Sequence, residues 1–178
     1  MRPWEAMLQR VASERYGRLL AFAVMLDGST SGGEDLVQDA LLATFTARAR
    51  FSSVEQAEAY VRRAIGSRYL DQSRRRARER SVLTRIAPSR VVELDVDLGF
   101  APEVQAALAL LSPRERTCLL LRHVEGLSVR ETSKLLRVSE GAVKRYVYDA
   151  VAAMNAALDT QAGDEEIQVK IKENDRAH

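Results

Sequence analysis

Residues 127–151 read LSVRETSKLLRVSEGAVKRYVYDAV, and within them Ser139, Gly141, Lys144, Arg145 and Tyr148 have the types and spacing to contact a polyanion. Lysine and arginine donate to phosphate oxygens and to the acceptor edge of guanine. A serine at a helix start stands beside the first free N–H groups, where an anion is favoured, and glycine lets a backbone approach closely. At 100° per residue, Val143, Val147, Ala150 and Met154 stack on one side, set to pack against Leu135 and a helix over 113–124. Gly141, Arg145, Tyr148 and Asp149 fall opposite, with Lys144 at the flank. A recognition helix needs this division, because one stripe must be buried while the other reaches base edges in a major groove. With a helix over 128–136 and a turn at Arg137 and Val138 before it, the spacing is that of a helix-turn-helix. A purely structural helical hairpin satisfies the same pattern, and the segment alone leaves both readings open.

A second group lies in the first half of the chain. A helix over 54–78 puts Val61 and Ile65 on one face and Arg63, Ser67 and Arg74 on the other, with Tyr60 and Tyr69 nearby. Cations that track phosphates and rings that stack on bases suit single-stranded or melted DNA. A solvated charged face with core tyrosines fits the same residues. The basic charge is concentrated in this half: residues 1–80 carry 14 Lys/Arg against 10 Asp/Glu, and five arginines crowd into 74–80, although the whole chain is only +2.

Other chemistry is poorly provided for. There is no Gly-rich phosphate loop, and Asp35 and Asp39 share a helix face without a partner pattern for acid/base work. The only histidines are His123, expected as a partly buried helix residue, and His178. With Cys118 the single cysteine, set beside Leu119, Leu120 and Leu121, neither a disulfide framework nor a thiolate metal site is available. No enzyme, no metal and no cofactor are expected. The longest apolar run, Leu19–Leu26, is far short of the roughly 20 residues that span a bilayer, and the N-terminus lacks a leader pattern. A cytoplasmic chain without membrane insertion is expected.

The elements that must position these groups are helical. Ser31 to Glu34, Ser53 to Gln56, Ser112 to Glu115 and Ser128 to Glu131 have the spacing of capping boxes, and Pro113 suits a first helical turn. Helices are predicted over 4–26, 32–49, 54–78, 102–111, 113–124, 128–136 and 140–158. Residues 80–101, with Pro88 and no 3.6-residue period, read as an acidic interdomain linker. The fold class is therefore all-α, with two small helical domains at 1–79 and 102–160, and a charged tail at 161–178. Residues 92–98 and 167–172 alternate with period two and fit either short strands or segments ordered on a partner. Lys170 and Lys172 complement Glu93, Asp95 and Asp97, so pairing of tail and linker is one arrangement they allow.

Two stretches carry a family resemblance. EDLVQDALLATF at 34–45 with AYVRRAIGSRYLDQSRRRAR at 59–78 resembles the second conserved region of extracytoplasmic-function sigma factors of the sigma-70 family, and VQAALALLSPRERTCLLLRHVEGLSVRETSKLLRVSEGAVKRY at 104–146 resembles their fourth. The resemblance implies a factor that binds core RNA polymerase through its beta and beta-prime subunits, recognises promoter DNA and helps open the duplex. It implies polymerase contacts at Asp35, Leu36, Gln38 and Asp39. It also implies capture of a flipped minus-ten base at Phe51, Ser52 and Ser53, with Arg63, Ser67 and Arg74 along the melted strand. The minus-thirty-five element falls to Ser139, Gly141, Lys144, Arg145 and Tyr148, the linker is implied to thread toward the RNA exit path, and an anti-sigma protein is an implied partner. The chain departs from the family pattern at Ser67, where many relatives carry Asn, at Arg137 in place of the turn glycine, and at Tyr146 and Asp149 in place of arginines. A stand-alone dimeric helix-turn-helix regulator and a helical adaptor that binds no DNA are the competing readings of the residues.

Overall fold

The computed structural model describes residues 3–82 and 101–158, all of whose regular elements are helices. Of the linker expected over 80–101, residues 80–82 instead continue the preceding helix, while 83–100, the tail, and both period-two segments with their suggested pairing lie outside the described residues. The chain divides into two compact units, Met1–Gly99 and Phe100–His178. Among the described residues no helix is long and apolar enough to cross a membrane.

The first unit contains α1 (Pro3–Glu14), α2 (Tyr16–Asp27), α3 (Thr30–Thr46) and α4 (Val54–Val82). The single helix expected over 4–26 is broken at Arg15, whose φ of −115° and ψ of 4° leave the helical region. The reason lies in the apolar stripe. Trp4, Leu8 and Val11 are buried, and continuing that spacing would carry Arg15 and Arg18 into the core. The break re-phases the chain so that Leu19, Phe22, Ala23 and Leu26 are buried instead. α2 ends on Gly28, whose φ of 88° a residue with a Cβ adopts only at a cost, and its N–H closes on the Val24 carbonyl at 2.8 Å. Ser29 then caps α3 by accepting from the Gly32 N–H at 3.0 Å. The cap expected at Ser31 is thus displaced by two residues, since the connection after Gly28 is so short that Ser31 is already inside the helix. α2 and α3 approach closely enough that a Cβ on Gly33 would lie 2.7 Å from Val24 Cγ2. At the start of α4 the Ser53 hydroxyl accepts from the Gln56 N–H, but the Gln56 side chain accepts from Ser52 rather than completing a box with Ser53.

α4 packs on all three other helices of the unit through Val54, Ala57, Val61, Ile65, Tyr69 and Leu70. Glu58 is buried among them. Its carboxylate meets Arg62 Nη1 at 3.1 Å, Arg18 Nε at 3.2 Å and Arg15 Nε at 3.7 Å, while Arg15 also reaches Glu55 at 3.4 Å. A carboxylate removed from water is tolerable only with such compensation. The same residues that break α1 from α2 therefore lock that break against α4.

The second unit contains α5 (Pro102–Leu110), α6 (Pro113–His123), α7 (Val129–Leu136) and α8 (Glu140–Leu158). Both expected capping boxes form in full: Ser112 N–H donates to Glu115 and Ser128 N–H to Glu131, each at 2.8 Å, and the serine hydroxyls accept in return. α5, α6 and α7 all pack on α8. Two arginines inside this unit serve the backbone. Arg116 donates to the carbonyls of Ala109 at 3.2 Å and Leu111 at 3.1 Å, and Arg122 donates to the Leu127 carbonyl, so each satisfies oxygens exposed at a helix corner. His123 is exposed at the end of α6, not partly buried, because the helix leaves the core there.

Glu58→Gln should lower unfolding free energy by about 3 kcal/mol in urea titration, since it leaves three arginines without their shared partner. A loss below about 1 kcal/mol would mean that solvent already compensates them. Burial pushes the Cys118 thiol up from 9.0 to about 12. The unfolded thiol then ionises before the folded one, so its contribution is intact below pH 9 and is lost as pH rises toward 12. Wild-type protein should lose stability faster than Cys118→Ala across that window, by up to about 1.4 kcal/mol per pH unit. Parallel curves would contradict a protonated, inaccessible thiol.

Candidate nucleic-acid interface

α3 presents one face outward. Asp35, Gln38 and Asp39 are exposed, and Asp39 accepts from Gln72 Nε2 of α4 at 3.3 Å, which fixes the helix pair. Leu36 is fully buried and holds α3 to the core with Val37 and Ala40, so a surface contact at Leu36 is corrected. The apolar member of the exposed face is Leu42, 67% exposed, one turn beyond Gln38 and Asp39, followed by Phe45 at 51%. Sequence reasoning missed both. The signal was present, as an apolar residue spaced three and four from polar ones on an amphipathic helix. Beside them a cleft of about 520 Å³ runs between α1 and α3, lined by Leu8, Ala12, Leu41, Leu42 and Phe45 with Glu5 and Gln9 at its rim.

The loop from α3 to α4 and the outer side of α4 form a second surface. Phe51 and Tyr60 meet edge to face with centroids 5.3 Å apart, and Tyr60 is exposed. Arg63, Ser67 and Arg74 are half-buried along the side of α4 that Tyr60 begins, and Arg74 pairs with Asp71 at 3.5 Å. Tyr69 belongs to the core, which leaves Tyr60 as the accessible ring of the two. Ser52 is exposed, whereas the Ser53 hydroxyl is engaged in the cap of α4. Arg48 turns the chain out of α3 with φ of 51°. With Arg50, Phe51, Pro3 and Trp4 it lines a cleft of about 560 Å³ whose walls are aromatic and cationic. Trp4, Arg48 and Arg50 were not singled out by sequence, because their meeting depends on α1 folding back beside the loop.

In the second unit the helix-turn-helix is built from α7 and α8. Arg137 ends α7 in the left-handed region, φ 55° and ψ 47°, and its N–H closes on the Ser133 carbonyl. Ser139 caps α8 by accepting from the Ala142 N–H at 3.1 Å. Val143, Val147 and Ala150 are buried, with Leu136 rather than Leu135 the buried leucine of α7, while Met154 is half-buried. Gly141, Lys144, Arg145, Tyr148 and Asp149 are exposed together, Tyr148 at 69%. A Cβ at Gly141 would meet nothing within 4 Å, so the glycine is not required by packing within this chain. Tyr146, between the two faces, accepts a hydrogen bond from Arg114 of α6 at 3.1 Å, and the Arg145 guanidinium lies 5.4 Å from its ring centroid.

Comparison with known proteins matches this chain to two family models, Sigma-70 region 2 over residues 12–79 and Sigma-70, region 4 over residues 102–154. Similar proteins include the RNA polymerase sigma-E factor of Streptomyces antibioticus, 28% identical over 72% of this chain and 71% of its own length. The ECF RNA polymerase sigma factor SigF of Caulobacter vibrioides is 29% identical over 75% of this chain and 74% of its own. Among solved structures, the sigma factor RpoE of Bartonella quintana, crystallised with the anti-sigma factor NepR, superimposes with a TM-score of 0.60. At 22% identity over 81% of this chain and 91% of that one, the likeness speaks for the fold.

Proposed function

The chain belongs to the extracytoplasmic-function sigma factors of the sigma-70 family, and from that premise we propose that it binds core RNA polymerase, directs it to promoters and holds the opened strand. The observation that carries this reading is the presence in one chain, in family order, of an aromatic pair beside an arginine-bearing helix face in the first unit and a helix-turn-helix in the second. The polymerase supplies the bond-forming chemistry, so the factor works without catalysis of its own, in the cytoplasm where its template lies.

Asp35, Gln38 and Asp39, joined by Leu42, form the face that meets the polymerase clamp. The apolar leucine supplies desolvated contact area, while the carboxylates select a basic partner and set orientation. Unstacking a promoter base costs a few kcal/mol, which pocket contacts must return. Phe51 and Ser52 stand at the loop where such a base would be taken up, and Tyr60, Arg63, Ser67 and Arg74 continue along α4 as stacking and phosphate partners for the single strand. Ser53 contributes by fixing the start of α4. In the second unit Lys144, Arg145 and Tyr148 face the major groove of the minus-thirty-five element, with Ser139 and Gly141 at the approach of the backbone. An inhibitory protein of the anti-sigma class is a further partner consistent with this surface.

Purified chain added to core polymerase on genomic fragments should produce transcripts whose start sites share two spaced sequence blocks. Absence of both transcripts and core binding would sink the proposal, and tight binding to a palindromic duplex without polymerase would favour a stand-alone dimeric regulator. Leu42→Asp should weaken core binding at least about tenfold, as expected for an interface anchor, with helical content unchanged. Unaltered affinity would remove this face of α3 from the polymerase contact.

A further inference from the structure

We propose that Tyr146 is a positioning residue that holds the guanidinium groups of Arg114 and Arg145 together as a two-pronged site for one phosphate of duplex DNA. The inference rests on the promoter-binding reading above and adds an element to it, since Arg114 comes from α6, outside the helix-turn-helix pair.

Three observations carry it. First, one phenol engages both cations: its oxygen accepts from Arg114 Nη1 at 3.1 Å, and its ring lies 5.4 Å from the Arg145 guanidinium carbon. Second, each contact leaves donors unused. Arg114 spends one of five N–H groups on the hydroxyl, and a guanidinium drawn to a ring carries more N–H groups than that contact can occupy, so donors of both remain for an anion. Among the described residues neither guanidinium is paired with a carboxylate, and both side chains are exposed. Third, the supports are rigid. Arg114 follows Pro113 in the first turn of α6, which the Ser112 and Glu115 capping box closes. Tyr146 is half-buried on α8 between buried Val143 and Val147.

Two forks of this kind suit the bidentate geometry of a phosphate better than a single mobile cation does. Because Arg145 also lies on the exposed face with Lys144 and Tyr148, the phosphate in question belongs to the duplex that α8 addresses. The pair therefore sets the register of α8 on the backbone without reading sequence. Asp149 and Glu140, the exposed acidic residues of the same helix, would stand toward that backbone at a cost, which raises the demand on the arginine pair.

The test uses holoenzyme assembled from the full chain and the promoter duplex mapped from its transcripts, with affinity measured by fluorescence anisotropy across a salt series. Arg114→Ala should weaken binding about tenfold and lower the slope of log affinity against log salt by about one. Tyr146→Phe, which keeps the ring and loses the hydroxyl, should weaken binding several-fold without changing the melting temperature. Adding Arg114→Ala to Tyr146→Phe should then cost clearly less than in the wild type, because the arginine is already unplaced. Full additivity, or unchanged salt slopes in both single variants, overturns the proposal while leaving the promoter-binding reading intact. Failure of wild-type holoenzyme to bind its duplex overturns both.

Discussion

Helices of eight to twelve residues are marginal alone in water, and five of those described here are of that length. Their persistence depends on how each end is closed, since every terminus leaves backbone groups without intrahelical partners. Two of the helices assigned to DNA contact, and the turn that carries Arg114, start from such closed ends. Ser53 starts the helix that bears Tyr60 and Arg63, Ser139 starts the one that bears Lys144 and Arg145, and Ser112 closes the turn that fixes Arg114. In each case a side-chain oxygen takes an N–H that would otherwise lack a partner, and the direction of the following helix, with everything on its outer face, is set by that bond.

At some of the other ends a buried cation or a left-handed backbone takes that part. Arg116 and Arg122 carry charge into the second unit to satisfy carbonyl oxygens at its corners, and Glu58 carries the opposite charge into the first to hold three arginines. Arg137 takes the left-handed conformation that glycine adopts without penalty, at a cost of roughly 1 kcal/mol. The cost is tolerated because the turn brings α7 and α8 together over one apolar stripe, and Leu136, Val143 and Val147 are buried there. Strain and charge burial are thus concentrated at the joints, while the faces of the helices stay free to present their side chains.

Much of this could be read in the residues. α5 to α8 fall within a residue or two of expectation because Pro102, Pro113 and the two serine-glutamate boxes are local signals, acting over three or four positions. The break at Arg15 could not be read that way: it answers to Glu55 and Glu58, some forty residues on, and to an apolar stripe that changes phase. The same limit separates Leu36 from Leu42. Both are leucines on α3, and only the packing of α2 and α4 decides that one is core and the other surface. The exposed side of α8 was legible from periodicity, yet the tie between Tyr146 and Arg114 was not, because it joins helices through positions 32 residues apart.

Leu42 and Phe45 lie open to solvent beside an apolar cleft, rimmed by acidic and amide groups. A surface of this kind is adhesive, and a chain that carries it has two conditions in a crowded cell, covered or vulnerable. An exposed apolar face is an aggregation liability until another surface covers it, so solubility and association rest on the same few residues of one helix.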